Sequence, residues 1–593
     1  MLATCYYTRS PYCCCVATIV HTGDQLPDPR LVSRALISRE ARVSHFGPRE
    51  PTHSYSIRMA SPRRRWAERA ALCVVGAALR QLYVFVARRR RARELPAAAT
   101  SLPPPPHILL VLLDDAGLGD ASVLGHPLVR TPHVDAFFAS AVRFTQAYAG
   151  APNCSPSRAA LLTGRAPFRT GVYDFLSKHT GSMHLSRGEQ TVASLLAGGA
   201  AYDTLHLGKW HLSRAGWGGA PEHFGFAHSN RSFSPAAELV AAFEGWLSHG
   251  RRPAHPFFAL LALWEPHEPV ERWSPPEFRR MYHRPASGRS LVEDAQAAQG
   301  GCGRCVWRRP LRGSPAVYYG CLSQADAAIG RALAALERRG LRDDTLVALT
   351  SDNGPEHRER NSWGSAAGLK GAKGFVYEGG IRVPLALQWP KALRASMPAS
   401  GRDVDEPVQL WDLLPTLCAA ASVPPPADRI VDGVNLLPLL FATALPGTAE
   451  AGSVLRRETP LFWAMHRGRG GMQYALREGD WKLLAGYGRF PARSYGPVAP
   501  AEVSPWLRAV MLGRVELYRL SLDPTERVDV AAERPDVVAR LLPVLQRLVH
   551  ETARDGALVT GWSERSPPCP RWNRRLNLTE HCCASRSGSR YTK

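Results

Sequence analysis

The chain's first clear pattern is an unbroken apolar run, His107-Ile-Leu-Leu-Val-Leu-Leu113, which ends abruptly in Asp114-Asp115. A run without polar alternation predicts a strand buried on both faces, as in a parallel sheet covered by helices. Phe257–Leu263 and Leu346–Thr350 repeat the pattern, and Tyr202–Leu207 reads as a fourth strand. Segments with helical spacing lie between and around them: 190–198, 236–249 and the long Val317–Arg339. This alternation predicts an α/β fold, a large mixed, mostly parallel sheet flanked by helices. After about residue 425 the texture changes. Leu461–Met465, Gln473–Arg477, Trp481–Leu484 and Glu516–Leu520 read as short strands joined by Gly-containing turns. Pro535 opens an amphipathic helix to about Ala553, with Pro543 as a candidate kink. A smaller C-terminal α+β domain of antiparallel strands and a helix is therefore expected.

A length of 593 residues suits two domains with additional ends. The divisions expected are an unassigned extension over 1–58, a basic and apolar segment with a Pro-rich linker over 59–104, a catalytic domain over 105–425, the α+β subdomain over 426–565, and a loosely ordered tail over 566–593. Residues 284–315, rich in Gly, Arg and Pro, read as an inserted loop.

Charge changes this picture only at the N-terminal end. Lys+Arg of 74 against Asp+Glu of 51 gives a net +23, and residues 59–93 alone hold ten Arg and one Glu. The basic stretch from Met59 is followed by an apolar run, Ala70 to Ala87, which resembles a signal peptide or signal anchor. Membrane attachment through residues 70–87 follows as an expectation, although Arg80 near the centre costs roughly 2.5–3.5 kcal/mol on insertion. No zinc finger, aromatic RNA-binding signature or basic zipper is present, so nucleic acid is not an expected partner. The thirteen cysteines form no regular ladder. Cys302 and Cys305 lack the second pair of a zinc site and read as a local disulfide or two free thiols. Cys321, Cys418, Cys569, Cys582 and Cys583 leave room for bridges in an oxidising compartment.

The candidate chemistry begins at Cys154-Ser-Pro-Ser-Arg158, which continues to Thr163-Gly164-Arg165. Ser155 suits an N-cap and Pro156 a first helical position, so Cys154 is expected at a helix N-terminus, where free N–H groups favour an anion. On local physics alone the same residues fit a buried cysteine beside a capped helix. Asp114 and Asp115 at the carboxyl end of a buried strand repel unless a cation sits there, and that edge is where open α/β sheets bind ligands. Ser351-Asp352-Asn353-Gly354 follows another strand, as further oxygen ligands or as a solvated turn. Oxygen-only ligands favour Ca²⁺ or Mg²⁺. In Gly208-Lys209-Trp210-His211 an extended backbone would put Lys209 and His211 on one face. His267 stands between prolines in Trp264-Glu265-Pro266-His267-Glu268-Pro269. Lys373 precedes Tyr377-Glu378-Gly379-Gly380-Ile-Arg382.

Cys154-x-Pro-Ser-Arg158-x-x-x-Leu162-Thr163-Gly164 resembles the signature of the type I sulfatases, of the alkaline-phosphatase-like superfamily. The other motifs match that family in order, with Lys370 a competitor for Lys373 at the wrong spacing. Gln409-Leu-Trp-Asp412, Gly479-Asp480-Trp481-Lys482 and Asp523-Pro524-Thr-Glu526 extend the resemblance. The resemblance implies a sulfuric ester hydrolase acting on an aryl or carbohydrate sulfate. It implies that Cys154 is oxidised to formylglycine by a formylglycine-generating enzyme. It implies one divalent metal, Ca²⁺ before Mg²⁺, on Asp114, Asp115, residue 154, Asp352 and Asn353, with Arg158, Lys209, His211, His267 and Lys373 as catalytic side chains. Such conversion in eukaryotes places the chain in the secretory pathway. The sequons at Asn230 and Asn577 would then be glycosylated, while the one at Asn153 overlaps the site and is expected bare. The rival readings are a phosphatase or phosphodiesterase of the same superfamily and an unconverted, noncatalytic membrane-attached binding protein.

Overall fold

The run that opens the pattern forms strand β1 (His107–Leu113), and its alternating side chains explain why no polar residue interrupts it. Ile108, Leu110 and Leu112 enter one core, Leu109 and Val111 the other. The structure is a computed structural model and describes residues 104–176, 183–213, 219–282, 291, 313–356, 363–394, 398, 401–441, 455, 457–468, 471–486 and 515–560. Among these, eight strands form one sheet in the order β5 (His228–Asn230), β4 (Asp203–Gly208), β6 (Phe257–Ala262), β1, β7 (Thr345–Ser351), β8 (Leu385–Gln388), β2 (Val142–Phe144) and β9 (Arg402–Val404). β4, β6, β1 and β7 are mutually parallel, whereas β8 runs antiparallel to β7 and β2. A small second pairing joins β3 (Ala147–Tyr148) to β10 (Val408–Gln409).

Helices α1 (Pro132–Ala139), α4 (Ala236–Gly245) and α5 (Pro315–Glu337) cover one face through Phe137, Phe138, Leu239, Phe243 and Ile329. α2 (Cys154–Thr163), α3 (Val192–Ala200) and α6 (Leu413–Ala420) cover the other through Leu161, Leu162, Leu196 and Leu417. The C-terminal sheet is antiparallel, β11 (Leu461–Gly468), β12 (Gly471–Glu478), β13 (Trp481–Ala485) and β14 (Val515–Arg519) in sequence order. Helix α7 (Pro535–Thr560) packs Leu541, Leu545 and Leu548 on its Phe462, Leu476 and Leu483 side. Its opposite side, with Trp463, Met465 and Leu484, packs on Phe375, Val376 and Tyr377.

Several expectations need correction. α2 starts at Cys154 with an extended Asn153 as N-cap, because the chain turns earlier than Ser155 suggests. Ser155 Oγ instead accepts from Leu176 N at 3.0 Å. α3 starts at Val192, where Thr191 and Ser194 form a reciprocal capping box. α4 ends at Gly245 and continues as a wider turn, Trp246–Gly250. α7 continues through Pro543. Among the described residues Cys321 and Cys418 are free, buried thiols. The readings placed on residues 1–103, including 70–87, on Cys302, Cys305 and most of 284–315, and on the tail with Cys569, Asn577, Cys582 and Cys583 lie outside the described residues. Among the described residues no helix is long and apolar enough to cross a membrane.

One buried side chain makes the fold acid-sensitive. His206 on β4 is fully buried against Trp210 and Phe226, and burial pushes its imidazole down to about 3. The unfolded chain therefore takes up this proton first as the pH drops below the ordinary histidine value. Stability from this group is complete at neutral pH and falls by about 2 kcal/mol on reaching pH 5. Thermal unfolding of His206→Phe, which keeps the aromatic packing, should lose less Tm than the wild type between neutral and mildly acidic pH. Parallel Tm curves for the two proteins would refute the assignment.

Candidate active site

Four parallel strands end at one edge, and each delivers a polar side chain there. Leu113 of β1 is in register with Ser351 of β7, so Asp114 and Asp352 emerge side by side. Lys209 leaves β4, held by Lys209 N donating to Ala262 O at 2.9 Å on neighbouring β6. Gly208 is required immediately before it. Its φ is 97° and a Cβ would stand 2.1 Å from Ala262 O. The loop after β6 carries His267, whose carbonyl accepts from Trp273 Nε1 at 2.8 Å and whose Nδ1 lies 2.6 Å from Glu268 O. α2 points its N-terminus, with Cys154, at the same edge.

The side chains interlock. Lys209 Nζ donates to Asp114 Oδ2 at 2.5 Å. Lys373 Nζ donates to Asp115 Oδ2 at 2.7 Å, and His267 Nε2 lies 3.8 Å from the same oxygen. Arg158 Nε donates to Asp352 Oδ2 at 2.8 Å and its Nη1 donates to Lys209 O at 3.0 Å. Arg158 thus braces the carboxylates and the Lys209 backbone. Asn353 Nδ2 donates to Asp115 Oδ1 at 2.8 Å, while Asp115 N donates to Asp352 Oδ1 at 3.1 Å. Lys370 is directed elsewhere, to Tyr518 OH and Glu526 O at 3.0 Å each.

The electrostatics describe an anion site beside a cation site. Burial opposes ionisation of Cys154, yet the ammonium groups of Lys209 and Lys373, together with His211 and His267, hold its thiol well below the ordinary range. Burial likewise opposes charge on Lys373, but Asp115 and residue 154 push it well above the usual lysine value. His267 is raised despite burial and the two lysines, because Asp114 and Asp115 favour its protonated form. Asp352 is pushed up to about 6 by burial, against Arg158, with Asp114 adding to the shift. Oxygens of Asp114, Asp115 and Asp352 lie within 4.8 Å of one another, as do ligand atoms of Asp114, Cys154 and His267. Asp114 Oδ1 and Asn353 Oδ1 are buried without a hydrogen-bond partner. Crowded carboxylates and orphaned oxygens are what a hard cation satisfies, so these residues fit a divalent metal.

The structure brings Asp114, Asp115, Cys154, Arg158, Lys209, His211, His267, Asp352, Asn353 and Lys373 together, with one difference in route. Residues 209–211 do not continue the strand; β4 ends at Gly208 and His211 has φ 55°. Lys209 and His211 reach Cys154 by an irregular turn, not by strand alternation. Sequence reasoning missed the support behind the site. Lys482, fully buried, pairs with Glu378 and Glu526 at 2.8 Å each. The Glu-Gly-Gly and Asp-Trp-Lys motifs were visible, but nothing local says that they meet.

Fold and site together place buried Cys154, faced by Lys209 and Lys373, beside a carboxylate cluster at the carboxyl edge of the sheet. Residues 106–423 match the Sulfatase family model. Human arylsulfatase A is 31% identical over 481 residues, covering 75% of this chain and 87% of that protein. Mouse steryl-sulfatase is 32% identical over 421 residues, covering 56% of this chain and 64% of its own. The solved PsFucS1 sulfatase from Pseudoalteromonas sp. shares the fold at a TM-score of 0.56 and 19% identity, over 80% of this chain and 95% of that one. The chain belongs to the sulfatase family and is a sulfatase enzyme.

Proposed function

We propose that this enzyme hydrolyses an aryl or carbohydrate sulfate ester through formylglycine made from Cys154, beside one divalent metal ion, Ca²⁺ in preference to Mg²⁺. The observation that carries the reading is the convergence of Lys209, Lys373, His211 and His267 on buried Cys154 at the start of α2. The oxygen donors of Asp114, Asp115, Asp352 and Asn353 suit a hard cation, and the resemblance to the type I sulfatases favours Ca²⁺ over Mg²⁺.

When formed, the hydrated aldehyde supplies two hydroxyls on one carbon, one to take the sulfuryl group and one through which sulfate leaves. Asp114, Asp115, Asp352 and Asn353 would hold the metal, which would supply neutralising charge for the sulfate oxygens. Lys209 and Lys373 add fixed positive charge where negative charge gathers. His267, whose protonated form Asp114 and Asp115 favour, together with Lys373, donates a proton to the leaving oxygen. His211 accepts the proton released as sulfate departs.

Conversion by a formylglycine-generating enzyme requires passage through the secretory pathway, so a lysosomal, extracellular or membrane-anchored location is part of the proposal. Asn230 is exposed and a fit glycosylation acceptor, while Asn153 is buried at the helix start. Relatives named for aryl and steryl sulfates support the breadth of the substrate class. The test uses protein secreted from a eukaryotic host. Mass spectrometry of the Cys154 peptide should show SH and H replaced by a carbonyl oxygen. That protein, supplied with calcium, should release sulfate from at least one of an aryl sulfate, a steroid sulfate and a panel of sulfated sugars. Converted, calcium-loaded enzyme that cleaves phosphate esters and no sulfate ester would establish the phosphatase rival.

A further inference from the structure

The C-terminal sheet packs against the segment that carries Lys373. Gln473 on β12 is fully buried. Its Oε1 accepts from Val376 N at 3.1 Å and its Nε2 donates to Gly374 O at 3.3 Å. Both backbone groups belong to the turn directly after Lys373. The same turn is tied from the opposite side, with Gly374 N donating to Pro152 O at 2.7 Å and Lys373 N donating to Pro355 O at 3.0 Å. Pro152 lies just ahead of Cys154, and Pro355 just beyond Asn353. Behind the turn, Glu378 N donates to Glu526 Oε2 at 2.7 Å, and Lys482 holds both carboxylates. Phe375, Val376 and Tyr377 pack on Trp463, Met465, Leu484 and Tyr518.

We propose that Gln473 is a positioning residue for sulfate-ester cleavage. It clamps Gly374 and Val376 and so fixes where Lys373 Nζ stands against Asp115 and residue 154. A primary amide is one of the side-chain groups that offers a donor and an acceptor in one plane, which matches an N–H and a C=O two residues apart. Lysine has a long, flexible stem, so an immobile base is what turns its charge into an aimed one. The C-terminal sheet thereby serves catalysis through a side chain that acts on the Lys373 turn and not on the reacting atoms. The inference rests on the role given to Lys373 above.

A clamp and a mere packing residue differ in how leaving-group chemistry responds. Wild type, Gln473→Met and Lys373→Ala are compared on phenyl sulfates ranging from 4-nitrophenyl to unsubstituted phenyl. In Gln473→Met, kcat for phenyl sulfate should fall about tenfold or more and that for 4-nitrophenyl sulfate less than about threefold, with KM little changed, because only the poor leaving group depends on proton delivery. Lys373→Ala should show the same ranking more strongly. Hydrogen exchange over 373–376 should quicken in Gln473→Met. If that variant does not fold, Gln473→Glu, of the same shape with one hydrogen bond lost, takes its place in both measurements. A steeper leaving-group dependence in Lys373→Ala alone overturns the clamp. Unchanged dependence in both variants overturns the role of Lys373 and the clamp with it. Unchanged exchange over 373–376 overturns the clamp whatever the kinetics. Wild-type enzyme inactive on every ester counts against the sulfatase reading, and hydrogen exchange then decides the clamp alone.

Discussion

Cys154→Ser is expected to lose steady-state turnover by about a thousandfold or more while retaining the fold, and to accumulate covalently sulfated enzyme. The substitution is nearly isosteric at a position with 2% exposure, so the surrounding pocket is preserved. Lys209 and Lys373 remain to hold the sulfate. A serine hydroxyl can therefore attack sulfur once. It lacks the second oxygen on the same carbon that would expel sulfate, so deprotonation by His211 has nothing to act on. The ester must then wait for water, in a pocket arranged to protect it. Intact-mass measurement after incubation with an aryl sulfate should show one added SO₃, and rapid-quench kinetics should show at most one equivalent of released phenol. Serine enzyme turning over at the wild-type rate would remove the aldehyde from the mechanism.

Removal of divalent cations is expected to have the next largest effect, several hundredfold on kcat/KM, by analogy with removal of a preorganised charge-stabilising group. The physical basis is the crowding at the strand edge. Asp114, Asp115 and Asp352 bring oxygens within 4.8 Å of one another; Lys209, Lys373 and Arg158 match their formal charge, yet Asp114 Oδ1 and Asn353 Oδ1 stay buried without a hydrogen-bond partner. Calcium at about a hundredfold above its Kd would stabilise the native state by about 2.7 kcal/mol. Scanning calorimetry should show Tm falling on chelation and recovering with Ca²⁺ more fully than with Mg²⁺. Asn353→Ala should weaken calcium binding, since it removes the orphaned Oδ1 together with the Nδ2 hydrogen bond to Asp115. Identical Tm before and after chelation, with activity intact, would show that the carboxylates are neutralised by the lysines and arginine alone.

Much of the catalytic sheet was legible because its signal is local. β1 needs only apolar side chains in both alternating sets, and the sequence shows that without reference to any other segment. The antiparallel β8 was not legible. Leu385–Gln388 is too short to carry a direction, and its orientation is fixed by pairing with β7 and β2. The start of α2 was misplaced for a related reason. Ser155 has the chemistry of a cap, but its hydroxyl is engaged by Leu176 N, a partner that no reading of neighbours reveals.

The candidate site divides in the same way. Its candidate members were read from motif residues, several of them just after a strand or at the start of a helix. By itself, the sequence determined the buried strands, the helix carrying Cys154, and the kinds of charge available. Only the tertiary structure decided that Asp114 stands beside Asp352, that Lys373 and not Lys370 faces Asp115, and that Gln473 and Lys482 support that lysine from a separate sheet. Period and capping act over a few residues, whereas hydrogen bonds between segments more than a hundred residues apart exist only once the cores have packed.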